Sequence, residues 1–147
     1  WSSDVCSSDL SNGEKMYLFV EEYSFVLTKG FISVFEIQNK KAVKLGVCIE
    51  ESFHISFPNV FKLDSDFYMI PESSANNDIR LYRCTDFPLK WELSSILMND
   101  ISAVDTLIYQ DKDLLICCNV IQQERLNKNN IINFRNKKTT FCLIQFI

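Results

Sequence analysis

The side chains best suited to chemistry are a few carboxylates, one histidine and one arginine: Glu21, His54, Glu72, Arg80 and Asp105. His54 is the only histidine, and it lies with all three prolines, Glu72 and Asp105 between Phe53 and Tyr109. Carboxyl and imidazole groups hold and move protons and accept hydrogen bonds from polar ligands. Residue types alone do not name a reaction. They do argue against a zinc site, because there is one histidine and no C-x-x-C pair. No cofactor is implied.

The elements that must hold these residues are short strands. Residues 59–63 and 67–70 are apolar runs separated by the polar cluster Asp64-Ser65-Asp66. Residues 79–84 alternate apolar and charged side chains, the period-2 signature of a half-buried strand. Residues 91–98 form a further run, closed by Asn99-Asp100. Together they predict a four-stranded antiparallel meander, and no stretch carries the i, i+3, i+4, i+7 spacing of a capped helix. Further strands are expected at 16–20, 31–37, 42–49, 104–109, 114–120 and 141–147, with loops at 24–30 and 121–138.

Residues 1–10, WSSDVCSSDL, back-translate as TGG AGT TCA GAC GTG TGC TCT TCC GAT CTN, which resembles a short-read sequencing adapter. They are assigned no fold role, and the natural chain is expected to start near Ser11. Without them the formal charge of −4 becomes −2, since two aspartates leave, and the cysteine count falls from six to five. A balance so close to neutral argues against bulk nucleic-acid binding. No apolar run reaches the roughly 18 residues of a membrane span. The remaining cysteines (Cys48, Cys84, Cys117, Cys118, Cys142) sit in apolar runs and read as buried free thiols. Those thiols, with no visible signal segment, favour the cytoplasm.

The strand pattern repeats. Tyr17-Leu18-Phe19-Val20-Glu21 aligns with Tyr68-Met69-Ile70-Pro71-Glu72 at an offset of 51, and Leu115-Ile116-Cys117-Cys118-Asn119 with the latter at an offset of 47. Periods of about 40–50 residues with four strands each describe propeller blades. Glu21, Glu72 and Asn119 therefore hold one position in successive blades. Pro58 and Asp105 hold another, on first strands, which line a propeller's central channel. Residues 11–147 read as one domain, with blades at about 14–51, 54–100 and an incomplete 101–147.

The strings FHISFPNVF, YMIPESSAN, IRLYR, FPLKWE and SAVDTLIY, preceded by YLFVEEY and GFISVFEI, occur in this order. They resemble HLSYPFVF, IYMIPESSAN, ELYR, FPxxWE and AVDPTLF of the glucosamine inositolphosphorylceramide transferase N-terminal domain family, over about residues 14–120. The resemblance implies an all-β fold: about two and a half blades of a five-bladed β-propeller similar to glycoside hydrolase families 43 and 32. It also implies involvement with sugars, beside a covalently linked transferase domain in the parent protein. Two departures stand out. The adapter-like stretch sits where the family has an Asp-Pro strand, and the chain stops inside the third blade.

On that resemblance the site chemistry is glycosidic. Two carboxyls flank the scissile bond, roughly 5 Å apart for retention and roughly 6.5–9.5 Å for inversion. Asp105 and Glu72 are the catalytic candidates, expected on one concave surface within roughly 12 Å, on the same scale. His54, Glu21 and Arg80 are the candidates for binding the sugar. Plainer roles stay open for each: a turn-capping Asp105, a Glu72 bridged to Arg80 or Arg83, a solvated Glu21, a His54 bonded to backbone, and an Arg80 on an exposed face. The expected function is sugar binding associated with glycosyl transfer to glycolipids or surface glycans. A glycosidase-like enzyme and an interaction scaffold are the alternatives. The chain alone is expected to be inactive, because an open propeller leaves strand edges unpaired. No nucleic acid and no direct membrane span are expected among its partners.

Overall fold

The computed structural model describes residues 7–13, 15–111, 114–121, 132–134 and 137–145, with side chains described for 9–13, 15–104 and 106. The described chain is strand throughout, apart from turns and one 3-10 turn at Ser74–Asn76. It forms three four-stranded antiparallel sheets, a partial, propeller-like all-β fold. The first sheet runs β1 (Ser7–Asn12), β2 (Lys15–Ser24), β3 (Lys29–Gln38), β4 (Lys41–Ile49) in sequence order. The second is β5 (Ser56–Leu63), β6 (Asp66–Glu72), β7 (Asp78–Asp86), β8 (Lys90–Asn99), again in order. The third comprises β9 (Ala103–Asp111), β10 (Leu114–Ile121), β11 (Ile132–Phe134) and β12 (Lys137–Gln145), in the order β11-β12-β10-β9. No helix among the described residues is long and apolar enough to cross a membrane.

Two details differ from expectation. Strand β1 includes Ser7 to Leu10, part of the stretch assigned no fold role, and pairs from Ser7↔Val20 to Asn12↔Lys15. The physical reason is that an open edge on β2 presents N–H and C=O groups to any adjacent backbone, whatever its side chains. In the third sheet, β11 lies inside the segment 121–138 expected to be a loop, and it pairs with β12.

Turn chemistry explains the hairpins. Asn39 and Lys40 have φ of 49° and 64°, the paired positive values of a two-residue type I′ turn. Asp64, the first residue of the β5–β6 turn, has φ 53°, a conformation aspartate tolerates better than most residues. Pro71 limits pairing on the β7 side of β6, while Glu72 still pairs with Ser56 of β5. The proline has no N–H to give, and the β6–β7 register is confined to Tyr68↔Arg83 and Met69↔Tyr82. After Glu72, the last residue of β6, the chain passes through the 3-10 turn. Asn77 returns it to β7 in the left-handed conformation, φ 56°.

The sheets pack face to face. Phe19, Ile32 and Val34 of the first sheet meet Ile55 and, from the second sheet, Val60, Met69 and Tyr82. Phe87 and Trp91 close the rim of this core, Phe87 edge-on to Tyr17 at 4.9 Å and Trp91 edge-on to Phe19 at 5.6 Å. A separate core of Ile70, Ile79, Leu81, Ile101 and Ala103 joins the second sheet to the third. Met69 and Ile70 are adjacent and both fully buried, one in each core. Strand β6 is thus covered on both faces, which is why its sequence is a continuous apolar run rather than an alternation. First strands lie side by side, β5 touching both β1 and β9.

Phe19 is the hinge of the first interface, so Phe19→Ala is expected to cost about 3–5 kcal/mol in chemical denaturation. Leu93→Ala, at a residue 45% exposed on β8, is expected to stay within about 0.5 kcal/mol of the parent. Equal effects would show that the two sheets do not fold as one unit.

Candidate functional site

The site begins with a close approach between backbones. Gly30, on β3, uses both its main-chain groups on the connection 50–55 that leads from the first sheet to the second. Its N–H donates to His54 Nδ1 at 2.8 Å, and its carbonyl accepts from the Ile55 N–H at 3.3 Å. A side chain has no room there. An added Cβ would lie 2.6 Å from the Ile55 carbonyl oxygen and 2.9 Å from both Glu21 Oε1 and His54 Cε1. The glycine that read as the end of a loop is a strand residue selected for approach.

This clasp orients His54. Because Nδ1 accepts a hydrogen bond, the imidazole carries its proton on Nε2. Nε2 faces Glu21 Oε1 at 3.7 Å. Tyr23, two residues further along β2, lies 5.9 Å from the imidazole between ring centroids. Alternation puts Glu21 on the same face of β2 as Phe19, but at the sheet's end, where the side chain stays 21% exposed. His54 is therefore both bonded to backbone and open to solvent, with a side chain 35% exposed.

Glu72 closes the site from the second sheet. Ser74 Oγ donates to its Oε1 at 3.0 Å. The alternative of a Glu72 bridge to Arg80 or Arg83 is not what the structure shows: Arg83 pairs with Asp66 at 2.8 Å, and Arg80 with Asp78 and Glu51. Burial pushes the Glu21 carboxyl above its ordinary value; His54 draws it back, and the negative charge of Glu72 pushes it up again. Glu21, His54 and Glu72 thus share one electrostatic environment at one end of two adjacent sheets. The backbone of Asp105 belongs to β9, while its side chain, and hence its expected pairing with Glu72, lies outside the described residues. The same holds for the Asn119 side chain.

Arg80 is not on an exposed face. Its side chain is 13% exposed, with Nε donating to Asp78 Oδ2 at 2.8 Å and Nη1 3.5 Å from Glu51 Oε1. The guanidinium sits 4.7 Å over the Phe53 ring. Glu51 Oε1 also accepts from the Tyr82 hydroxyl at 2.6 Å, and Lys29 Nζ donates to the Glu51 carbonyl. Arg80 and Tyr82 pin the 50–55 connection to the second sheet and Lys29 ties it to the first, so Arg80 helps hold the frame that carries His54. Glu51, Phe53, Asp78 and Tyr82 are the residues the sequence did not single out. Of these, only Tyr82 lay within the alternating run 79–84, and nothing in that pattern pointed to its hydroxyl.

Strand β5 enters from this connection with strain. Phe57 has φ 44°, unusual for a bulky residue, at a bulge between Ser56 and Asn59. Strain of this kind costs about 1–3 kcal/mol and gathers near functional sites. Of the cysteines, Cys48 and Cys84 are free, and burial pushes them up to about 12 and about 11. Thiols held so high stay protonated at neutral pH, which makes them poor nucleophiles. The side chains of Cys117, Cys118 and Cys142 lie outside the described residues.

Two outcomes follow from this geometry. Gly30→Ala is expected to destabilise by about 1–3 kcal/mol through overpacking and to shift the His54 ring resonances in NMR spectra. An unshifted His54 would show that the clasp does not set its position. The adjacent glutamates are expected to respond oppositely to pH. A raised Glu21 binds its proton more tightly folded than unfolded, so it subtracts stability as pH rises through and above its ordinary value. Glu21→Gln should therefore leave the melting temperature unchanged at about pH 4 and raise it at neutral pH. For Glu22, burial opposes ionisation, but hydrogen bonds from Lys44 and Ser33 outweigh it and the value is lowered. Its contribution is present above the ordinary value and lost as pH falls through the folded value. Glu22→Gln should cost about 0.2–1 kcal/mol at neutral pH, fading on acidification. Melting curves at the two pH values check both signs.

Comparison with known proteins agrees with the motif pattern. Residues 9–144 match the family model described as glucosamine inositolphosphorylceramide transferase 1, N-terminal. The chain is similar to glucosamine inositolphosphorylceramide transferase 1 of Oryza sativa subsp. indica and subsp. japonica, each 35% identical over 100 residues. It is 33% identical over 101 residues to the protein of that name from Arabidopsis thaliana. Each match covers 67% of this chain and 13% of the relative, so the chain spans a small part of those proteins' length. With a family model matched across nearly all of its residues, the chain belongs to the glucosamine inositolphosphorylceramide transferase 1 N-terminal family.

Proposed function

We propose that this chain is part of a carbohydrate-binding, propeller-like domain that serves glycosyl transfer to glycolipids, with a five-bladed ring completed by the parent protein. The observation that carries the reading is the convergence of Glu21, His54 and Glu72 at one end of two neighbouring sheets. Carboxylates accept hydrogen bonds from sugar hydroxyls, and His54 offers a fixed Nε2–H donor beside them. The relatives' names join an amino sugar to an inositol-bearing lipid, and a ring of hydroxyls is the element common to both. Asp105, whose backbone lies on β9, is proposed as a third carboxylate. The transferase chemistry belongs to a covalently linked domain.

Glu21 favours a second reading. A carboxyl raised by burial and by a like-charged neighbour is what a glycosidase uses as its acid, with Glu72 or Asp105 as its partner. The two readings part on turnover.

The test is an NMR titration of the full-length parent protein with glucosamine and with inositol phosphate. Binding is expected to move the Gly30 amide and the His54 ring. Glu21→Ala and Glu72→Ala should each weaken it about tenfold, equivalent to about 1.4 kcal/mol. No shift with any sugar would leave an interaction scaffold as the function. Release of the aryl group from an aryl glycoside, abolished by Glu21→Gln, would establish the glycosidase instead.

A further inference from the structure

The β2–β3 turn is apolar where tight turns are ordinarily polar. Phe25, Val26 and Leu27 are 87%, 92% and 56% exposed. The turn itself does not require them. Its shape is set by Ser24, whose Oγ accepts from the Leu27 N–H at 3.1 Å, and by Thr28 in the left-handed region at φ 52°. Three large apolar side chains in water at a turn held by polar neighbours mark an interaction surface.

We infer that this tip is a membrane-docking finger, which seats the Glu21–His54 end of the chain on a lipid bilayer of low net charge. The inference rests on the reading that the site serves a lipid-borne sugar, and it names how that site reaches its substrate. The shape argues for a fluid partner. Successive turn residues point in different directions from a convex tip, which suits acyl chains better than the fixed pocket of a folded protein.

Polarity is ordered by depth. Phe25, Val26 and Leu27 are outermost. Behind them come Ser24, Thr28 and Tyr23, whose ring packs edge-on to Phe25 at 5.3 Å and is 46% exposed. Behind these lie the charges, with Lys29 paired to Glu50 at 3.1 Å and Lys44 paired to Glu22. Apolar groups, then an amphipathic aromatic, then ions is the profile of a bilayer from its acyl region to its headgroups.

The charge pattern selects the kind of bilayer. Lys29 and Lys44 are each neutralised by a glutamate, and Glu21 and Glu51 lie close by. Among the described residues, the two lysines behind the tip each have a glutamate partner, which leaves them no surplus of positive charge to attract anionic lipid. Docking runs through apolar insertion, and a neutral surface meets the acidic site without repulsion. Seated this way, the Phe25–Tyr23–His54 series leads from the bilayer to the carboxylates.

The experiment is flotation of the 147-residue chain with phosphatidylcholine vesicles, beside vesicles that also contain phosphatidylserine. The chain is expected to float with pure phosphatidylcholine, with no gain from phosphatidylserine. Phe25→Ser with Leu27→Ser should cut partitioning at least about tenfold. Both residues are exposed, and an unchanged melting curve verifies the fold. The finger is overturned by equal flotation of the double variant, by binding that requires phosphatidylserine, or by a lipid-free dimer that the double variant dissolves. Flotation retained with soluble-sugar binding lost would sink the site reading alone. Flotation lost with sugar binding retained would overturn the finger alone.

Discussion

The absence of one side chain organises the site. Gly30 lets the 50–55 connection lie against β3 closely enough for two backbone–partner hydrogen bonds, one to Ile55 and one to the imidazole of His54. The first fixes where the chain crosses between sheets, and the second fixes the tautomer of the histidine. Neither is strong alone, since a hydrogen bond exchanged with water contributes about 0.5–1.5 kcal/mol net. Their effect is geometric. With the crossing fixed, Ile55 is buried in the core beside Phe19 and Met69, and Glu21 faces His54 across the seam. The Arg80 network fastens the same connection from the other side, so His54 is held between two sheets by groups that touch no ligand.

Strand alternation then divides neighbouring residues between different tasks. Glu21 and Glu22 are adjacent, yet one faces the inter-sheet seam and the other the opposite face. Their titrations move in opposite directions as a result. Met69 and Ile70 divide in the same way between two cores. A one-residue slip in the register of β2 or β6 would exchange these roles. The buried seam that fixes the register therefore also fixes the site.

Much of this was legible in the sequence. The second sheet's strands appear in the apolar runs and the period-2 alternation of 79–84, because each turn carries a residue suited to its conformation. The repeat of Tyr17–Glu21 in Tyr68–Glu72 placed Glu21 and Glu72 on second strands of adjacent sheets, where the structure has them. Less legible were the residues that act through contact across sheets. Glu51, Tyr82 and Phe53 have no spacing that links them, since they meet only when the crossing folds back. Arg80 was misread because alternation on a strand assigns a face but not a depth. An ion pair with Asp78 and a ring beneath it bury a side chain that the pattern leaves in water. Gly30 looked like a loop end, since one-dimensional pattern does not distinguish a glycine selected for φ from one selected for room.

Strand parity accounts for why the functional features gather at one end. A sheet of four antiparallel strands takes the chain up and down twice and returns it to the end at which it entered. Every connection between the first and second sheets, and between the second and third, must therefore lie at that end. Among the described residues the opposite end carries hairpin turns, such as Asn39–Lys40 and Asp64–Ser65, and the 87–89 turn, whose Phe87 packs on Tyr17. The crossing end carries the 50–55 connection with His54, the end of β6 with Glu72, and the β2–β3 turn with its apolar tip. Connecting segments such as 50–55 and 25–28 lie between strands, so their side chains are ones a sheet of this topology can assign to a ligand. A bilayer met by Phe25, Val26 and Leu27 is met by the same end that holds the carboxylates, because parity leaves no other end to hold them.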